Sequence, residues 1–460
     1  MDQQINAQRL FLASCVALTV TAMTFAIRAG ILTDLSVDFG LSDTELGWIN
    51  AMGFLGFPVA TMIGGPLYNT IGPRQFMWVA FVCHVLGLVL TITAGGFVGL
   101  LVSTFLIGFA NGSVEAACNP MIADMFPTNK TTMLNKFHVW FPGGIVIGSL
   151  VVLGMNAMGL GWQYQIGIML IPTALYAFLI FGQPFPELVN KGGASLKNLF
   201  PPRYLAIVLA FVLIAAADLS ISGKTLFEWI GVGAGASLYV KGGLVLLVAV
   251  LVYMEFGALY AAFAFCMSLT ATSELGTQQW VERILGDAGA SPMVVLILVT
   301  GLMAAGRYFG GPLIHRFKPI GVLFGSSIIA AIGLYLMSMS TGPMVYVSAV
   351  LFAVGVMYFW PTMIGSAAEY TPETGALGLS FMGGVGMFAV SLWQPAIGGW
   401  IDGARESALA DGMVGEVAEL AAGQAALANI AIFPMVLILA FGALFFYLRN
   451  KEKEEQAVAA

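Results

Sequence analysis

Charge is what this sequence has least of. Only 9% of its 460 residues are Asp, Glu, Lys or Arg, against roughly a quarter in a soluble domain. A water-facing surface cannot be built from so few, which excludes a soluble enzyme. No nucleic-acid partner is expected, although the net charge of −6, spread over the loops, itself says little about partners. Cysteine is equally scarce. Cys15, Cys83, Cys118 and Cys266 all sit in apolar runs without metal-ligand spacing, so they read as small packing residues, not as a redox or metal framework. No Walker-type phosphate loop is present, so ATP hydrolysis is excluded as the energy source. No cofactor is expected; an ion gradient, most simply of protons, remains.

What the chain does have is apolar length. The hydrophobic share is 59% and the mean hydropathy is +0.91. At about 20 apolar residues per crossing there is room for a dozen or more spans, and helices are the default because each must satisfy its own backbone. Apolar runs fall near 10–32, 45–68, 75–95, 98–126, 132–158 and 163–183. A polar segment, 184–203, carries Lys191, Gly192, Gly193, Lys197 and the Pro201–Pro202 pair. Two runs follow near 204–221 and 239–255, then six more near 257–282, 293–315, 320–338, 344–368, 374–400 and 424–448. The first run lacks a small-residue cleavage site and reads as a retained span, not a signal peptide.

Basic residues set the expected orientation. With the amino terminus in the cytoplasm, Arg9, Arg74, Lys130, Lys136, Lys191, Lys197, Arg203, Arg316, Lys318, Arg449, Lys451 and Lys453 fall inside. Only Lys224, Lys241, Arg283 and Arg405 fall outside, beside the acidic stretch 402–420. Both termini are therefore expected in the cytoplasm, in a cytoplasmic (inner) membrane. The same parity demands an even number of crossings between residues 184 and 256. Two crossings, an inserted hairpin, are expected; the alternative is that both runs lie at the interface or pack without crossing. The expected division is a six-helix half at 1–183, the central segment and hairpin at 184–256, a second six-helix half at 257–448 and a tail at 449–460.

The halves repeat. Gly64-Gly65-Pro66-Leu67 is matched by Gly310-Gly311-Pro312-Leu313, and Asn119-Pro120-Met121-Ile122 is echoed by Trp360-Pro361-Thr362-Met363-Ile364. Internal repeats of this kind mark secondary transporters that rock one half against the other about a central site.

The stretch Gly65-Pro66-Leu67-Tyr68-Asn69-Thr70-Ile71-Gly72-Pro73-Arg74 resembles the loop motif between spans two and three of the major facilitator superfamily. Asn69 stands where that motif has Asp, and Thr70 where it has a basic residue, which weakens its charge relay. Glu115-Ala116-Ala117-Cys118-Asn119-Pro120 with Leu134-Asn135-Lys136-Phe137-His138 resembles the fucose permease (fucose–galactose–glucose:proton symporter) family. Pro361-Thr362, Gly383-Gly384 and Gln394-Pro395 through Gly398 and Asp402 extend the likeness. The resemblance implies an all-α polytopic membrane protein of the major-facilitator fold, with two pseudo-symmetric six-helix halves. It also implies that Glu115 serves in proton coupling.

An ionised group inside a span costs at least about 2.5–3.5 kcal/mol, so each needs a partner or a purpose. Glu115 leads the candidates for the proton site, with Asn111 and Asn119 four residues to either side on the expected common face. A helix-to-helix hydrogen bond is the plainer alternative. Glu274 and Gln278 repeat the spacing beside Trp280; Glu274 is a second proton-coupling candidate, or a hydrated residue near the outer mouth. His138, Phe141, Trp360 and Gln394 are expected substrate contacts, since aromatic faces and a few polar anchors suit sugars; packing is the alternative for each. Arg28 follows Thr21 and Thr24 at helical spacing and could fork onto an anion. Otherwise it pairs with Glu115 or another acid, or snorkels to the surface. Arg307, with Gly65, Asn69, Arg74, Gly311 and Arg316, reads as structural or gating.

The first functional expectation is a proton-coupled symporter of a sugar or related polyhydroxylated nutrient, working as a monomer. Its partners are then a small-molecule substrate, protons and the lipid bilayer. The second is uptake or exchange of a small organic anion through Arg28 and Arg307, and the third is multidrug efflux.

Overall fold

The computed structural model describes residues 5–127, 130–186, 200–217, 219–221, 224–229, 231, 233–309 and 311–459. Lys191, Gly192, Gly193, Lys197, Asp218 and Gly310 lie outside them. Thirteen of the described helices are long and apolar enough to cross a membrane. The first half comprises α1 (Ala7–Gly30), α2 (Asp43–Ile71), α3 (Pro73–Ile92), α4 (Phe97–Met125), α5 (Trp140–Ala157) and α6 (Trp162–Ile180). Two helices follow, α7 (Pro202–Ala216) and α8 (Ala234–Phe256). The second half comprises α9 (Ala258–Gln279), α10 (Pro292–Phe309), α11 (Gly311–Met337), α12 (Met344–Tyr370), α13 (Gly375–Ala410) and α14 (Glu416–Lys451).

The repeat runs further than its glycines. Eight residues after Gly64 the backbone turns at Gly72 (φ 92°) before Pro73; eight after Gly310 it turns at Lys318 (φ 59°) before Pro319. Proline disfavours helical backbone in the residue before it, and at both places the chain leaves the helix, so the two halves break at equivalent corners. Lys318 is the one non-glycine among the described residues with positive φ, a conformation that costs about 1–3 kcal/mol.

Helices within each half meet through glycines. In the first half Gly56, Gly108 and Gly112 let α2 and α4 touch backbone to backbone, and Gly144 and Gly148 seat α5 on α1. Between halves, α2 packs along α13 and α5 along α10, two contacts exchanged by the internal symmetry. The α2–α13 seam is continuous, from Gly398 against Asp43, through Ser391 donating to the Ala51 carbonyl (2.9 Å), to Gly65 beside Ser380.

The inserted pair behaves as two packed helices joined by a short antiparallel pairing of Ser220–Ile221 with Lys224–Thr225. α7 covers the α2–α13 seam: Tyr204 donates to the Met62 carbonyl (3.1 Å), and Phe211 stacks on Phe388 with ring centroids 4.8 Å apart. At 15 residues, roughly 22 Å, α7 is shorter than the hydrocarbon core, whereas α8 meets the length of a span.

Candidate functional site

An aromatic cluster joins the two halves midway along the seam. Phe25 of α1, Phe54 and Phe57 of α2 and the half-buried Phe141 of α5 meet Ala271 and Leu275 of α9, Met387 and Val390 of α13 and Trp360 of α12. Phe25 lies 5.1 Å from Phe54 and 6.0 Å from Phe141, centroid to centroid. Trp360 lies beside Gly383 and Gly386; a Cβ at Gly383 would make ordinary contact with it (3.9 Å), whereas one at Gly386 would crowd it (3.0 Å).

One helical turn from this cluster, four helices each carry a polar residue. Arg28 is three residues beyond Phe25, Asn50 four before Phe54, Gln279 four beyond Leu275, and Gln394 four beyond Val390. Because α2 runs opposite to the other three, all four residues fall on the same side of the aromatic layer. They are 6%, 0%, 3% and 0% exposed. The Arg28 guanidinium lies 5.2 Å from the Phe25 centroid and 5.6 Å from that of Phe54, and a Cβ on Gly53 would overlap it. Its one hydrogen bond runs from Nη2 to Gln279 Oε1 at 3.1 Å, across the halves. The expected alternative, a pair with Glu115 or another acid, is not what the structure holds: an amide stands where an acid was foreseen. Arg28 Nε, Gln279 Nε2 and both side-chain polar atoms of Asn50 and of Gln394 are buried without partners. Buried polar groups are normally satisfied, and these find no protein partner, so this collar marks a place where a ligand's polar groups could bond.

Beyond the collar the helices are locked by a charge cluster. The Asp43 carboxylate, with no exposed surface, accepts from Arg283 Nε (2.6 Å) and Nη2 (3.2 Å) and from Arg405 Nη2. Arg405 also donates to Glu419 (2.6 Å) and Asp402 (3.1 Å). Asp402, from the other half, caps the start of α2 by accepting from Asp43 N (3.1 Å), Thr44 N (2.8 Å) and Thr44 Oγ1 (2.7 Å). A carboxylate at a helix start satisfies orphan amides and the helix dipole together. Beside it Thr33 donates through N (3.2 Å) and Oγ1 (2.9 Å) to Glu282, whose carboxyl burial pushes up to about 7 although those hydrogen bonds hold it down. We call this the clamped end.

The remaining candidates divide. Glu115 is half-buried, accepts from Asn119 Nδ2 (2.5 Å) and has no cation within ion-pair distance among the described residues. Asn111 does not join them, which corrects the common face expected for the three. Each four-residue step turns about 40°, and Asn111 is spent elsewhere: Oδ1 contacts His84 Nε2 (2.8 Å), and Nδ2 donates to Thr24 Oγ1 (2.9 Å). Glu274, only 3% exposed, forms an ion pair with Arg307 (2.9 Å), and Arg307 also donates to the Met357 carbonyl (2.7 Å). A hydrated place at the outer mouth is therefore overturned. Glu274 sits in a π-helical turn, Thr272–Gly276, a distortion frequent at functional sites. Gln278 meets Met303 Sδ at 3.3 Å, one turn from Arg307 on α10. Trp280 is fully buried with Nε1 unpaired. His138 is exposed, its ring beside Phe137, and joins neither the cluster nor the collar. Gly65, Asn69, Arg74 and Arg316 lie exposed toward the other end of the helices, and Gly311 opens α11. There Tyr68 donates to Asp124 (3.1 Å), a carboxylate beside the motif that lacks its own.

The chain matches the sequence model of the Major Facilitator Superfamily over residues 11–392 and belongs to that superfamily. It is 28% identical over 174 residues to the hexuronate transporter of Bacillus subtilis, covering 37% of this chain and 40% of that protein. To the D-xylose transporter of Levilactobacillus brevis it is 22% identical over 150 residues, 32% of this chain and 33% of that one. The matched stretches thus span less than half of either relative. The fold is similar to that of a bacterial homolog of the human lysosomal transporter Spinster, with a TM-score of 0.68 at 14% identity, over 95% of this chain and 97% of that one.

Proposed function

We propose that this protein is a proton-coupled secondary transporter of a small organic anion, with Arg28 as the anchor for the substrate's carboxylate. The carrying observation is that Arg28 is buried, stacked on two phenyl rings and bonded to a single neutral amide. A desolvated cation without a counter-charge is costly; a bound carboxylate supplies that charge through a bidentate fork. Arg307, by contrast, is already neutralised by Glu274 and serves the packing of α9, α10 and α12. The anion reading thereby moves ahead of the neutral-sugar reading, and the names of the two relatives cover both chemistries.

Glu115, unpaired by any described cation, is the proton site. A carboxylate that must release its proton before the substrate leaves links the two flows, with the gradient as the sole energy source. By the distribution of basic residues, the clamped end faces outward and both termini lie in the cytoplasm, in the cytoplasmic membrane. Every element of the site comes from one chain, so a monomer suffices.

The test is uptake into proteoliposomes of labelled organic acids and neutral sugars, with and without an inward proton gradient. Arg28→Gln should lower affinity for the transported acid by about 100-fold, in line with losing a charged hydrogen bond worth about 1.5–3 kcal/mol. Glu115→Gln should abolish gradient-driven accumulation while exchange persists. Accumulation of a neutral sugar that is indifferent to Arg28→Gln would sink the reading.

A further inference from the structure

The collar contains more than an anion needs. A guanidinium and the amide hydrogens satisfy carboxylate oxygens, but Asn50 Oδ1 and Gln394 Oε1 are acceptors, and a carboxylate has no hydrogen to offer them. Both residues are fully buried, and all four of their polar side-chain atoms lack partners. Their helices hold them close in register. Gly47 packs on the backbone of Gln394, and Ser391 bonds to Ala51, so Asn50 lies level with Ser391 and about one turn from Gln394. On α2, Asn50 stands between the α13-facing residues Gly47 and Ala51 and the Gly53 that touches Arg28. On α13, Gln394 shares its face with Met387 and Val390 of the aromatic cluster.

We infer that Asn50 and Gln394 are the specificity-determining pair of this site and read hydroxyl groups, so that the substrate class is a hydroxylated carboxylate. The inference rests on Arg28 as carboxylate anchor and adds to it what the anchor cannot supply. A hydroxyl is both donor and acceptor, as each amide is, so one hydroxyl can satisfy an oxygen of one residue and a nitrogen of the other. A site built to hydrogen-bond a hydroxyl rejects the analogue without it, because its own buried polar groups are then left unpaired. The aromatic layer below receives the carbon skeleton.

The experiment is binding to the purified full chain, by calorimetry or ligand-induced thermal shift, of acids that differ only in hydroxyls. Suitable pairs are lactate with propionate and D-gluconate with hexanoate. The expected result is at least a 10-fold preference of the wild type for the hydroxylated member of a pair. Asn50→Leu and Gln394→Met should each bring that ratio toward one. Replacing an orphaned buried amide by an apolar group of similar shape is nearly neutral or stabilising, so the ligand-free unfolding temperature of both variants should not fall. Should either fail to fold, the alanine variants carry the same expectation. A wild-type ratio near one while Arg28→Gln still abolishes binding overturns this inference alone, as does a variant that keeps the preference. If no carboxylate of either kind binds, the Arg28 anchor itself fails and the inference falls with it.

Discussion

Asp43→Asn isolates the clamp. The substitution keeps shape but removes the charge and turns one oxygen into a donor, facing guanidinium groups that can only donate. Breaking a buried ion pair by removing one partner costs about 3–5 kcal/mol. Arg283 and Arg405 are 18% and 19% exposed and keep Glu419 nearby, so solvent and the surviving acid reduce the loss to about 2 kcal/mol. Asp43 belongs to one half and both arginines to the other, so the loss falls only on the clamped state. About 2 kcal/mol is about 30-fold in an equilibrium; a clamped state favoured about 100:1 becomes favoured about 3:1. Spin labels at Val37 and Val414, exposed residues on opposite halves at this end, report the separation by pulsed electron resonance once the four native cysteines are replaced. The expected outcome is a second, longer distance population of about a quarter in Asp43→Asn. A distribution identical to wild type would show that the salt-bridge cluster does not hold the halves together.

Two further outcomes follow from the same geometry. Glu282 has a carboxyl raised to about 7 when clamped and an ordinary value near 4.5 once opening hydrates it. The clamped state therefore binds the extra proton: it is least stable above pH 7, gains as pH falls from 7 toward 4.5 and is level below. Thr33 and Asp34 from the segment after α1, and Arg283 from its own helix, face this group; the label distances at pH 8 and 5.5 should shift toward closure on acidification, and Glu282→Gln should remove the shift. Opening on acidification would refute it. Two glycines of the α2–α4 contact, Gly53 and Gly108, should behave differently when each is replaced by alanine. A Cβ at Gly53 meets the flexible end of Arg28, so Gly53→Ala should keep the fold and weaken anion binding at least about 10-fold. At Gly108 it meets the Gly53 backbone, and Gly108→Ala should lower stability by about 1–3 kcal/mol in a thermal melt. Full anion affinity in Gly53→Ala would contradict the role of Arg28.

The helices were legible because apolar length is a local property. Each apolar run of the sequence contains a helix among the described residues, the inserted pair included, and the corner at Lys318 was implicit in a proline eight residues past a repeated glycine pair. Side-chain partners were not legible in the same way. Asn111 looked like a companion of Glu115 until His84, 27 residues away, claimed it. Arg283 and Arg405 entered the sequence reading only as loop charges for orientation, Asp402 as part of the acidic outer stretch and of the resemblance, and Asp43 not at all; the bonds that tie Asp43 to Asp402, Arg283 and Arg405 join residues more than 200 positions apart, which no local pattern encodes. Phe25, Phe54 and Phe57 were hidden among 33 phenylalanines. Asn50 and Gln279 did leave a signal, an amide inside or at the end of an apolar run, but of the two places the sequence pattern singles out only Gln278, beside Gln279.

Collar and clamp occupy the same four strands of connection, and that shared placement links binding to movement. Gln279 lies three and four residues before Glu282 and Arg283; Gln394 lies four before Gly398 and eight before Asp402; Asn50 lies seven after Asp43; Arg28 lies five before Thr33. A rigid rotation that separates Asp43 from Arg283 and Arg405 must also draw Arg28 from Gln279, because both sets of bonds bridge the same two halves and Gln279 stands one turn before Arg283. An open clamp therefore means a divided collar. A ligand whose carboxylate engages Arg28 while its other groups engage the second half restores contacts across the divide, and it binds the clamped state more tightly than the open one. That difference in affinity is what a ligand needs to shift a conformational equilibrium. In the proposed mechanism the substrate itself thus favours closure behind it, and the charge cluster holds that closure until the opposite end releases the load.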